Sequence, residues 1–400
     1  MSRLYTKCAL GDISKISTGK LDANAEVENG KYPFFTCGEE ILQIDEYAFD
    51  TEAILLAGNG NFGTKYYKGK FNAYQRTYVI EPMGVNGKWL FYCVCHLISK
   101  ITGGARGSTI KYLRLGDISG CPISLPPLNE QKRIVAKIEA MFSELDKGVE
   151  NLKAAQAQLK TYRQSILKFA FSHFDLSATV GELFDFVGGG TPSKKEPTYW
   201  NGDIPWASVK DVKGDYLIKT MDTITEKAVV NSATNLADVN DVILITRISP
   251  GKTIISVARV AINQDLKIVK PKGNAIPLFI HYLFKSLEKE ILKLSSGTTV
   301  LGINLNNLKS IKAPNLTQPQ QQKLVESLEE KFSVVDDLES CISFELQKSN
   351  SLRQSILKKA FAGELVAQDP NDEPATKLLE RIKEEQKTAG EGKKKRARAS

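Results

Sequence analysis

The chain is poor in the residues and motifs that carry chemistry. Its 400 residues hold three histidines, His96, His173 and His281. None matches a counterpart elsewhere in the chain, so a core or surface role is expected for each rather than proton transfer. No G-x-S-x-G elbow and no Asn-Pro-Pro-Tyr-like methyltransferase motif occurs. Two stretches approach a phosphate-binding loop and miss it. "GNGNFGTK" (Gly58 to Lys65) has Thr64 where the lysine should stand, and "TRISPGKT" (Thr246 to Thr253) has Thr246 in place of the first glycine. The six cysteines follow no framework spacing, which fits a reducing compartment, and "CVCH" (Cys93 to His96) lacks the second pair that a tetrahedral zinc site needs. The longest apolar run, Trp89 to Ile98, is about half of the ~20 residues that span a bilayer. "MSRLYTKCALGD" contains no signal-like apolar stretch, so a cytoplasmic protein without catalytic activity of its own is expected.

Charge is present but unevenly placed. The formal net charge is +8, and "EGKKKRARAS" (Glu391 to Ser400) contributes five basic residues against one acid, half of the total. Such a tail could clamp phosphates or be a solvated end. The remainder is only mildly basic, which permits a DNA partner without requiring one.

The chain repeats itself. "RQSILK" occurs at Arg163 to Lys168 and again 190 positions on, at Arg353 to Lys358. At the same spacing Gly107, Ser108, Thr109 and Ile110 fall on Gly297, Thr298, Thr299 and Val300, and Val135, Ile138, Glu139, Phe142 and Ser143 on Val325, Leu328, Glu329, Phe332 and Ser333. At a spacing of 189, "EAILLA" (Glu52 to Ala57) lies over "DVILIT" (Asp241 to Thr246), Gln75 over Gln264 and Pro82 over Pro271. "ALGDI" (Ala9 to Ile13) matches "TVGEL" (Thr179 to Leu183) at 170, so the second copy carries about 19 extra residues between Gly190 and Asn240. A repeat this long makes each copy a domain.

Each copy reads as a strand-rich front and a helical back. Glu52 to Pro82 and Asp241 to Pro271 read as an apolar strand, a turn, a hairpin arm and a strand ending at proline; a helix-like segment and a small polar glycine loop follow. Behind them Ile138, Leu145, Leu152, Leu159 and Ile166 recur at seven-residue spacing, interleaved by Phe142, Val149, Ala155 and Tyr162. Leu328, Val335, Ile342 and Ile356 form the second seam, broken by Ser349. Prolines 126, 127, 314 and 319 precede or open the helices. Two helices of ~45 residues, each ~65 Å long, need a partner for their apolar stripes, and each other is the expected one; helical linkers docking on their own domains are the alternative. The fold class expected is α/β (α+β) modules in tandem duplication, separated by two long helices that pair as an antiparallel coiled coil.

"LPPLNEQKRIVAKIEAMFSELD" (Leu125 to Asp146) and the endings "RQSILKFAF" and "RQSILKKAFAGELV", each behind a variable module, resemble the DNA-specificity subunit of type I restriction-modification systems over roughly residues 1 to 368. The second helix departs at "LTQPQQQKLVE", with Pro319 where the first has Asn129. The resemblance implies target recognition domains at 1–125 and 176–315, conserved helices at 126–175 and 316–368, and a basic tail at 369–400 that is expected to be partly disordered. It further implies that each domain reads half of a bipartite asymmetric DNA site. The helices would space the readers and dock two methylation subunits, with restriction subunits in the full complex. S-adenosylmethionine, ATP and Mg would sit on those partners, and this chain would hold no cofactor.

Bases are read by polar side chains and phosphates by lysines and amides, so polar turn residues are the candidates: Asn59, Asn61, Lys65 and Arg106 in module one, and Lys194, Lys195, Trp206, Ser208, Lys210, Arg247 and Lys252 in module two. The matched Gln75 and Gln264 are expected to be structural. A coiled-coil scaffold with protein- or ligand-binding modules is the alternative, and Trp206 is the feature that leans towards it.

Overall fold

The computed structural model describes residues 4–107 and 110–397. The chain divides into two compact units, Met1–Asn151 with Phe344–Ser400, and Leu152–Ser343. Each contains one front module and one half of each long helix.

In the first unit a six-stranded sheet runs in the order Ser14–Thr18, Thr77–Pro82, Phe49–Ala57, Thr64–Ala73, Tyr32–Phe35, Ile41–Ile44. The helix α1, Gly87–Thr102, covers one face, with Trp89, Leu90, Cys93 and Val94 in a core shared with Ile54, Leu56 and Ile80. The side chain of Asn86 caps α1 by accepting from the Trp89 N–H at 2.9 Å. The second unit repeats this around strands Phe184–Gly188, Leu266–Pro271, Val242–Ile245 and Thr253–Ser256, in that order. Its corresponding helix follows at Pro277–Lys293. The interval holding the extra residues supplies three strands of a second sheet, ordered Asp222–Ile224, Trp200–Ala207, Val260–Ile262, Asn235–Ala237, in which Val260–Ile262 comes from beyond the interval.

Strand register corrects the repeat by one residue. Ile54 pairs with Ile80 and Tyr66, while Val242 pairs with Val269 and Ile255. Ile54 therefore corresponds to Val242, a spacing of 188 rather than the 189 suggested by "EAILLA" and "DVILIT". Ile54, Leu56, Val242 and Leu244 all face their module's helix, whereas Leu55 and Ile243 face away. A one-residue slip would exchange those faces. The second module makes up the residue in its next turn, since Leu56 pairs with Thr64 and Leu244 with Thr253. Both near-phosphate-loop stretches are these turns, and each runs into a strand rather than a helix.

The long helices are α2, Leu128–Ser172, and α3, Gln318–Ala362, 45 residues each. Pro319 sits in the first turn of α3, where its missing N–H costs no bond. Each helix opens with a buried glutamine. Gln131 Oε1 accepts from the Asn86 N–H at 2.9 Å and its Nε2 donates to the Pro126 carbonyl at 3.0 Å. Gln321 does the same with the Ile276 N–H and the Leu316 carbonyl, both at 2.9 Å.

Within each unit the helix halves pair antiparallel. In the first, Ile134, Val135 and Ile138 of α2 and Ile356, Leu357 and Ala360 of α3 join the module core, and further along α2, Asp146 meets Arg353, further back on α3. In the second, Ile166, Leu167 and Phe171 join Leu324, Val325, Leu328 and Phe332, and Arg163 meets Asp336. Each arginine also lies over an aromatic ring, Arg353 over Phe142 at 4.9 Å and Arg163 over Phe332 at 5.0 Å. Ile138 and Val335 are fully buried, Ile166, Leu328, Ile342 and Ile356 buried, and Leu145, Leu152 and Leu159 half-buried. Tyr162, read as interleaving the first seam, is instead 55% exposed. The helices thus pair with each other and dock on the modules at once.

The tail from 369 contains a helix that the sequence reading did not place. This is α4, Ala375–Ala397, whose Ala375, Leu378, Leu379 and Ile382 enter the first unit's core. The Arg133 guanidinium binds Asp372 at 2.6 Å and holds that carboxyl below the usual range. Charge along 377–387 obscures a helix whose apolar positions, Leu378, Leu379 and Ile382, recur at helical spacing.

Candidate nucleic-acid interface

Both modules build the same corner. The loop after each module helix folds back on the turn after the central strand. In module one the Leu113 N–H donates to the Gly58 carbonyl at 2.8 Å and the Gly60 N–H to the Lys111 carbonyl at 3.3 Å, while Arg106 and Tyr112 exchange two backbone bonds. In module two the Ile303 N–H donates to the Thr246 carbonyl at 2.9 Å and the Ile248 N–H to the Leu301 carbonyl at 2.7 Å, while Ser296 and Gly302 make the exchange. Gly107 (φ 112°) and Gly297 (φ 139°) turn these loops through a conformation that side chains disfavour, which accounts for the repeated glycine. Of the matched stretch around them, Ser108 and Thr109 lie outside the described residues.

A second tight turn completes each corner. The Gly58 N–H donates to the Arg76 carbonyl at 2.8 Å, and the Thr246 N–H to the Asp265 carbonyl at 2.9 Å. Gln75 and Gln264, expected to be structural, are both exposed here. Gln75 donates to Asp22 at 3.3 Å, and Gln264 accepts from the Thr191 hydroxyl at 2.5 Å. That bond ties the corner to the Gly188–Gly190 loop. A Cβ on Gly189 would stand 2.2 Å from the Asn263 carbonyl oxygen, so only glycine permits the approach.

The corners collect some candidates and leave others elsewhere. Asn59, Asn61 and Arg106 lie on the first, and Arg247 and Lys252 on the second. Arg247 is half exposed and reaches Asp265 at 3.2 Å. Lys65 lies on strand Thr64–Ala73 and binds the Gly38 carbonyl. Lys194 and Lys195 are exposed on the loop that leaves Gly190, and Lys210 is exposed on the turn Val209–Asp211.

Two candidates are corrected. Trp206 is 6% exposed, packs beside Ile224, Ala228 and Ala261, and spends its indole N–H on the Gly190 carbonyl at 3.2 Å. Ser208 is half-buried and closes the following turn with Asp211, which accepts from its N–H and its hydroxyl. Both hold the fold. Arg76 and Ile248, exposed beside the matched glutamines and turns, are not among the residues that sequence reasoning selects; the repetition of Gln75 as Gln264 is the available signal for this corner.

One buried cluster resembles a catalytic relay. The Thr253 hydroxyl lies 3.0 Å from His281 Nδ1, and His281 Nε2 stands 3.2 Å from Asp215, close but not aligned as a hydrogen bond. Lys285 reaches the same carboxylate at 2.6 Å. His281, with Lys285, holds the Asp215 carboxyl well below its usual range, and burial pushes the imidazole down. Thr253 and His281 are buried, so no substrate reaches them; the cluster pins the edge strand Tyr216–Leu217 to the helix Pro277–Lys293.

The architecture is that of a duplicated loop-bearing reader joined to an antiparallel helix pair. The model for the type I restriction modification DNA specificity domain matches residues 3–154 and again 177–351. The EcoDI type I restriction enzyme specificity subunit of Escherichia coli is 33% identical over 427 aligned positions, covering 96% of each chain. Solved structures share the fold. A chain from a type I restriction-modification system, solved to explain complex assembly and conformational transition, aligns with a TM-score of 0.70 at 19% identity, covering 91% of this chain and 99% of that one. The HsdS subunit from Thermoanaerobacter tengcongensis aligns at 0.51 and 18%, covering 90% and 97%. The chain belongs to the type I restriction-modification DNA specificity family.

Proposed function

We propose that each module reads one half of a bipartite, asymmetric DNA site, and that α2 and α3 space the readers and dock two methylation subunits, to which restriction subunits add in the full complex. The observation that carries this reading is the repeated corner: the two copies of the module keep the same three backbone segments together and vary the side chains presented there. Constant geometry with variable polar residues suits a reader of different base sequences. The chain itself supplies address and no catalysis. S-adenosylmethionine, ATP and Mg would act on partner subunits, in the cytoplasm. The protein-binding alternative loses its main support with Trp206, which is buried rather than offered as an anchor.

No helix among the described residues is long and apolar enough to cross a membrane. The test is co-expression with a methylation subunit of the same operon, followed by methylome sequencing. A single two-part adenine motif is expected, and exchange of residues 1–125 for the module of another family member should alter one part only. Alteration of both parts, or of neither, would refute the two-reader model.

A further inference from the structure

We propose that Ile248 is a base-contacting residue of module two that takes the 5-methyl group of a thymine in the major groove. This rests on the DNA-reading function above and deepens it. Ile248 has φ 75°, a left-handed conformation that a β-branched side chain adopts only against steric strain. The position is defined by a backbone bond, its N–H to the Leu301 carbonyl, and the equivalent residue in module one, bonded to Lys111, is Gly60 at φ 71°. Glycine fills that position without strain.

Among the described residues no buried apolar cluster takes up the isoleucine side chain. It is 54% exposed. Beside it Val300 and Leu301 are 40% and 37% exposed, so the tip of the corner is apolar, with the exposed Arg247, Lys252, Thr298 and Thr299 around it. Strain retained at an exposed tip points to a role in binding. An apolar group among cationic and hydroxyl side chains matches the major-groove edge of an A·T pair, where the thymine methyl is the apolar feature. If the partner subunits methylate adenine, as the function proposed above has it, the site contains an A·T pair and with it a thymine methyl.

The experiment uses the full chain assembled with its methylation subunits and the duplex identified by methylome sequencing. Each thymine of the half-site read by module two is replaced in turn by deoxyuridine, which removes only the methyl group. The wild-type complex should bind about tenfold more weakly at one such position. Ile248→Gly should bind the thymine and deoxyuridine duplexes alike, keep its discrimination in the other half-site, and unfold at a temperature no lower than wild type. Ile248→Val, which keeps methyl groups at the tip, should retain the thymine preference. Insensitivity of the wild type to every replacement, or unchanged sensitivity in Ile248→Gly, would overturn the proposal. A midpoint lowered by several degrees would overturn it by making Ile248 a packing residue. A wild-type complex with no preference for its duplex would refute the DNA-reading function itself, and this proposal with it.

Discussion

Asp265 holds the Arg247 guanidinium at 3.2 Å while itself 7% exposed and bonded by Asn263 and Gln264. The carboxylate is fixed and the arginine, half exposed, is the movable partner. The guanidinium is exposed, and the amides of Asn263 and Gln264 stay on the buried carboxylate when it leaves, so the arginine is free to turn to DNA. Asp265 then restricts where the arginine points before it binds.

Arg247→Ala is expected to cost about 1–3 kcal/mol on the preferred base and to relax choice at that position in one half-site only. Affinity on cognate and singly substituted duplexes checks it. Uniform weakening over all duplexes would instead make Arg247 a phosphate-binding residue.

Lys194 and Lys195 should behave differently. Both are exposed and have no ion pair among the described residues. The loop that carries them is anchored next to the reading corner by the bond from Thr191 to Gln264. Lys194→Ala combined with Lys195→Ala should weaken binding to every sequence alike. The salt dependence should become shallower by roughly one unit for each phosphate that is no longer neutralised. A change in base preference would show that the loop reads sequence.

The helix pair can be probed by burial. Val335→Asp places a charge where the native side chain is fully buried, and Leu145→Asp where it is half-buried. An uncompensated buried charge costs roughly 3–5 kcal/mol, so Val335→Asp should unfold its unit or abolish docking of a methylation subunit, and Leu145→Asp should do less. Thermal unfolding and co-purification of the methylation subunit measure the two effects. A soluble double variant that assembles normally would exclude the pairing as the docking element.

The duplication and the helices are legible in the sequence because heptad spacing and phrases such as "RQSILK" survive substitution. The front modules are legible as strands and turns but not in register. "EAILLA" and "DVILIT" are apolar on both faces, so no polar alternation fixes which residue of one matches which of the other. Trp206 reads as an anchor in a turn because Ser208 and Lys210 follow closely, yet it lies on a strand whose far face forms a second small core. Single exposed residues leave little trace. Ile248 becomes visible only when its backbone conformation is set against that of Gly60.

The buried glutamines escape sequence reasoning for the opposite reason, since "NEQ" and "PQQQ" read as a polar helix surface. Gln131 is 0% and Gln321 4% exposed. Each satisfies one backbone N–H at the start of its module helix and one carbonyl ahead of its own long helix. A leucine would fill much of the same space and make neither bond, and an orphaned polar group costs roughly 1–3 kcal/mol. Gln131→Leu should therefore destabilise by roughly 2–6 kcal/mol in total, with half-burial of Asn86 favouring the lower part of that range. Gln131→Glu keeps an acceptor for the Asn86 N–H but sets a carboxylate in a fully buried site against the Pro126 carbonyl, so it should cost at least as much. The effect should be local. Hydrogen exchange should show Gln131→Leu deprotecting α1, Gly87–Thr102, and Gln321→Leu deprotecting Pro277–Lys293, each leaving the other helix unchanged. Equal deprotection of both helices by either variant would mean that the two modules unfold as one, and that the glutamines do not act as separate clasps.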